Sequence, residues 1–109
     1  METPPLAWRL LFLAGLLEIV WALALKASEG FTRLWPSALT AVAMAGSVVL
    51  LGLALRSLPV GTAYAVWTGI GAVGVAAFGM AVLGEPVTLA RVAGVALVAA
   101  GIGVLKLSG

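Results

Sequence analysis

LLFLAGLLEIVWALALK, residues 10–26, is an apolar run of helical length interrupted by a single acid, Glu18. A membrane-spanning helix needs roughly 20 apolar residues. Three more segments satisfy the same requirement. Leu34–Leu55 and Ser57–Gly84 are free of charge, and Pro86–Leu105 carries only Arg91, near its start. Four such helices consume about 80 residues, and the chain has 109. What remains suffices for three loops and two tails, with no extramembrane domain.

The wider composition agrees. The chain is 63% hydrophobic and 9% charged, with a formal net charge of +2. A soluble domain is usually about 25% charged, so these side chains cannot cover a water-facing surface. A disordered tail is excluded by the same hydrophobicity. The chain contains neither His nor Cys. Zinc sites, disulfides, thiol catalysis and histidine acid–base chemistry are therefore ruled out. No cofactor and no enzymatic activity are expected, and six scattered Lys and Arg residues do not make a nucleic-acid surface. Arg9 followed by LLFLAGLL has the outline of a secretory signal, but Glu18 would then stand in or just after its apolar core.

Proline punctuates the helix starts at Pro36, Pro59 and Pro86, where a missing N–H is harmless. The reading is a single all-α membrane domain over residues 1–109, with helices at about 6–26, 34–55, 59–83 and 87–107. The loops SEGFTR (28–33), RSL (56–58) and GEP (84–86) are short, so neighbouring helices run antiparallel. Trp8 and Trp35 stand near helix ends, where indole favours the membrane interface.

Lys and Arg near helix ends set orientation. Arg9, Arg56 and Lys106 share one side, and Lys26, Arg33 and Arg91 share the other. This balance of three against three gives no reason to insert one way. Dual topology is the expectation, with copies inserted in both orientations and paired antiparallel as a homodimer. Such a pair supplies the inverted symmetry that larger transporters build from internal repeats.

Glu18 is the single charge at mid-membrane depth. An ionised group there costs about 2.5–3.5 kcal/mol on insertion scales, and intramembrane acids are functional by default. No Lys or Arg lies at its depth to pair with it. Trp21, at i+3, shares its helix face. Tyr64, Trp67 and Thr68 on helix 3 and Ser47 on helix 2 add phenol, indole and hydroxyl donors. A carboxylate among such groups can hold a proton or a desolvated cation, with aromatic faces adding about 0.5–2 kcal/mol each. For each aromatic alone, packing or interface anchoring is an equal reading. The Gly69-Ile-Gly71 pair could be a hinge, since Gly weakens a helix by about 1 kcal/mol. On helix 4, Gly94 and Gly101 are seven apart and leave one face open to close helix approach. That face is assigned to the dimer contact.

The segments LEIVWALALK (17–26), SEGFTRLWPS (28–37), SLPVGTAYAVWTGIGAVG (57–74) and LGEP (83–86) resemble the small multidrug resistance family of bacterial inner-membrane transporters. Trp21 after Glu18, together with SLPVGTAYAVWTGIG, resembles its guanidinium-exporting branch. The loop SEGFTRLWPS is closer to the multidrug branch, which exports quaternary ammonium and aromatic cations. The resemblance implies an antiparallel homodimer that exchanges protons for guanidinium ions. It implies Glu18 as the shared proton and substrate carboxylate, oriented by Trp21, Ser47 and Trp67. It also implies Tyr64 at the substrate portal and Gly94 and Gly101 in the helix 4 dimer contact. A passive cation channel and a non-transporting subunit are the remaining readings.

Overall fold

The computed structural model describes residues 5–108. It is all-helical, with α1 at Pro5–Ala27, α2 at Leu34–Ala54, α3 at Val60–Ala81 and α4 at Leu89–Ser108. Each helix has 20 to 23 residues and is apolar enough to cross a membrane. At 1.5 Å per residue, such helices match the roughly 30 Å hydrocarbon layer. The chain is a multi-pass membrane protein.

Two ends differ from the sequence reading. α3 stops at Ala81 and α4 begins at Leu89, where the sequence suggested ends near 83 and 87. Gly84 explains the first difference. It adopts φ +74°, a conformation open to glycine without a Cβ penalty, and this turn returns the Glu85 N–H to the Gly79 carbonyl at 3.0 Å. Thr88 explains the second. Its hydroxyl accepts the Arg91 N–H at 3.1 Å, a side-chain cap that fixes the helix start. Pro86 therefore sits ahead of the helix instead of in its first turn.

The first loop is tied down by Ser28, which is fully buried. Its hydroxyl donates to the Leu25 carbonyl at 2.6 Å and accepts the Phe31 N–H at 3.1 Å.

The helices form a slab of 46 × 35 × 17 Å. α1 packs most extensively against α2 and next against α3, whereas α4 packs its backbone only against α3. The order across the slab is thus α2, α1, α3, α4. The apolar core lies toward one end, where Ala7, Trp8, Leu11 and Ala14 of α1 meet Leu51, Ala54, Leu58, Ala63 and Val66. Trp8 belongs to this core and is 3% exposed. The Lys106 ammonium stands 5.3 Å from its ring centroid, a cation–π contact joining the end of α4 to the start of α1. Trp8 is therefore a core residue. Trp35, which is 81% exposed, keeps the position expected of an interface indole.

Candidate functional site

Glu18 is built into the seam between α1 and α3, and glycine makes that seam. A Cβ placed on Gly15 would lie 2.7 Å from Ile70, and one on Gly74 would collide with Ile19. One on Gly71 would lie 2.7 Å from both the carboxyl carbon and Oε2 of Glu18. Small residues let membrane helices approach this closely. Gly71 therefore leaves a notch in α3 into which the Glu18 carboxyl fits. α3 passes through Gly69 and Gly71 as continuous helix, and a Cβ on Gly69 would lie 3.1 Å from Ile102 of α4. The two glycines thus have different neighbours and different packing reasons, beside the hinge that their sequence suggests.

Ser47 and Trp67 form a second feature one turn away. The Trp67 indole donates to the Ser47 hydroxyl at 2.8 Å, and Ser47 donates to the Ala14 carbonyl at 2.6 Å. Ser47 is fully buried. Ala14 is four residues before Glu18, so its carbonyl also belongs to the turn that carries Glu18. The chain α3–α2–α1 is thereby pinned at the root of the acid. The bonds of Ser47 and Trp67 fall on each other and on the α1 backbone, one turn from the carboxylate. The Tyr64 ring lies 5.6 Å from the Trp67 ring at 59°. Tyr64 is 55% exposed and forms the outer edge of this group. Thr68 turns its hydroxyl back to the Tyr64 carbonyl at 2.9 Å.

Three buried polar atoms on α1 have no hydrogen-bond partner among the described residues: Trp8 Nε1, in the apolar core, and Glu18 Oε2 and Trp21 Nε1, one turn apart. Leaving a buried polar group unpaired costs about 1–3 kcal/mol, more for a charged one. An acceptor and a donor three residues apart, both unsatisfied, suit a ligand or a second subunit that completes them.

The structure therefore brings Glu18, Trp21, Ser47 and Trp67 into one region with Tyr64 at its margin. Gly94 and Gly101 lie apart, on α4, where a Cβ on either would meet nothing within 4 Å. α4 contains no buried residue. Sequence reasoning missed the notch role of Gly71 and the Ala14 carbonyl. The available signal was small residues at 15, 71 and 74, but which helix they faced was not readable from one chain.

A sequence model described as Small Multidrug Resistance protein matches residues 6–98. Over 103 residues, spanning 94% of this chain and 99% of the relative, the sequence is 59% identical to a guanidinium exporter of Yersinia pseudotuberculosis. It is 56% identical over 103 residues to guanidinium exporters of Citrobacter freundii and Escherichia coli K12, spanning 94% of this chain and 98% of each. Four apolar spans, an acid at the middle of the first and relatives this similar over nearly their whole lengths agree: the chain belongs to the small multidrug resistance family.

Proposed function

We propose that this chain is a proton-coupled antiporter that exports guanidinium and small guanidyl cations across the bacterial inner membrane. It works as an antiparallel, dual-topology homodimer. The observation that carries the proposal is the Glu18 carboxyl, held at mid-span in the Gly71 notch with Oε2 unpaired. The relatives' names supply the substrate class.

Guanidinium is planar and presents two parallel N–H donors to a carboxylate. It also stacks on aromatic rings such as Trp21, Trp67 and Tyr64. Proton and cation need the same Glu18 oxygens, so binding one releases the other. If the dimer reorients only when loaded, exchange follows. A pH difference of one unit supplies about 1.4 kcal/mol per proton. A membrane potential adds about 2.3 kcal/mol per 100 mV for each net charge moved. Two protons entering for one monovalent cation leaving would draw on both.

Two features support pairing. The slab is 17 Å across its thinnest direction, so the four helices make one layer, and a second layer would close an aqueous chamber against it. α4 has no buried residue, and Gly94 and Gly101 stand clear of every other side chain. The even split of Lys and Arg permits both orientations. A hinge at Gly69 and Gly71 would let α3 bend between the two faces of the dimer.

The test is Glu18→Gln, which keeps the shape of the side chain. Titrating guanidinium into detergent-solubilised protein should release protons from the parent and none from the variant. Proton release retained by the variant would remove Glu18 from its role. Uptake of guanidyl and tetraalkylammonium cations into liposomes separates guanidinium export from multidrug export.

A further inference from the structure

The two ends of the subunit carry the same number of cations in different company. At the end formed by loops 1 and 3, Lys26, Arg33 and Arg91 are accompanied by Glu29 and Glu85. The Arg91 guanidinium pairs with Glu85 at 3.5 Å. At the other end, Arg9, Arg56 and Lys106 have no acid beside them among the described residues.

Each end also carries a lipid-level groove. Between α3 and α4 lies one of 520 Å³, lined by Ala72, Ala76, Val95 and Val98, among others, and capped by the Glu85–Arg91 pair. Its polar end is self-neutralised. Between α1 and α2 lies one of 680 Å³, lined by Leu6, Ala7, Leu10 and Leu53, with Arg56 and Ser57 at its mouth. Leu6 is 66% exposed and Leu53 is 42% exposed, so the groove wall is apolar and uncovered. Arg56 makes no ion pair among the described residues.

The geometry points to a phospholipid site: the α1–α2 groove takes an acyl chain of an anionic lipid, whose headgroup phosphate sits on Arg56 with the Ser57 hydroxyl as a second donor. An apolar channel ending in a guanidinium that has no ion-pair partner among the described residues matches an anionic amphiphile in shape and charge. Arg presents a planar fork that fits phosphate in two parallel bonds, and anionic headgroups lie at this depth of the bilayer. A second copy of the chain is the other conceivable occupant. Charge disfavours it, because a copy packed in parallel brings against Arg56 an end whose described residues carry three cations and no acid. A copy packed antiparallel brings an end where three cations outnumber two acids. The inference is independent of Glu18 and of the transported substrate.

Native mass spectrometry of the full-length protein, released from detergent with phosphatidylglycerol or phosphatidylcholine of identical acyl chains, tests it. The parent should retain phosphatidylglycerol in preference. Arg56→Gln should lower that retention about fivefold, the effect of one basic side chain at an anionic surface. Arg91→Gln, at the self-neutralised groove, should leave it unchanged. Leu53→Trp, which fills the groove and keeps the charge, should also displace the lipid. Equal retention of the two lipids by the parent overturns the assignment, as does an Arg56→Gln protein that retains phosphatidylglycerol like the parent. A Leu53→Trp protein whose lipid retention is intact but whose dimer is weakened on size exclusion assigns the groove to a second copy instead.

Discussion

The seam between α1 and α3 and the outer helix α4 are built from the same small residues to opposite ends. In the seam, Gly15, Gly71 and Gly74 each touch a side chain across the interface. On α4, a Cβ on Gly94 or Gly101 would meet nothing within 4 Å. A glycine in contact has finished its packing within the subunit. A glycine in open space on a helix without buried residues has not, and under the proposed pairing a second subunit would complete it. In the proposed function the seam carries the chemistry of one subunit and α4 its assembly.

Gly71→Ala tests the seam and has the largest expected effect. The new Cβ would stand 2.7 Å from the Glu18 carboxyl. The end of a flexible side chain can move, so the protein should fold and dimerise while the carboxyl leaves its notch. Guanidinium affinity should fall at least about tenfold, equivalent to about 1.4 kcal/mol, measured by proton-release titration. Gly69→Ala, which meets Ile102 at 3.1 Å, is the control and should leave affinity within about twofold, a shift of only about 0.4 kcal/mol. A pure hinge gives another pattern: both variants would slow exchange at unchanged affinity.

Gly101→Leu tests the other side of the comparison. A Cβ at this position meets nothing of the subunit within 4 Å, so its fold should be untouched. The cost falls on the dimer, whose dissociation constant in micelles should rise about tenfold, or about 1.4 kcal/mol. Gly103 is also in open space, but two residues along a helix place it on the opposite face. Gly103→Leu should leave the dimer constant unchanged, and equal weakening by both variants would dissolve the assignment of one α4 face to pairing.

What could be read from the sequence follows the same division. Four spans were legible because hydrophobic length is a property of each segment alone. Glu18 was legible because a lone acid in an apolar run is costly wherever the helix packs. The helix ends at 81 and 89 were not, because they depend on a positive φ at Gly84 and a hydroxyl cap from Thr88. The Gly71 notch was not either, since it depends on which turn of α1 faces which turn of α3. Trp8 shows the same limit: its place near a helix end suggested an interface anchor, but Lys106, arriving from the far end of the chain, covers it.

The smallest expected effect lies within the seam's own polar contacts. Ser47 joins three helices through two hydrogen bonds, to the Ala14 carbonyl and from the Trp67 indole. Interhelical hydrogen bonds in membranes average about 0.6 kcal/mol each. Ser47→Ala removes both, so guanidinium affinity should fall roughly fivefold, about 1 kcal/mol, less than for Gly71→Ala. Its origin is positional: the carboxyl keeps its notch, but the turn below it and the Trp67 ring lose their common anchor. The variant should therefore also raise hydrogen exchange at the Trp67 indole, which Gly71→Ala should leave as it is. A Ser47→Ala protein with a tenfold or larger loss and an unchanged indole would place the hydroxyl on the substrate instead of on the helices.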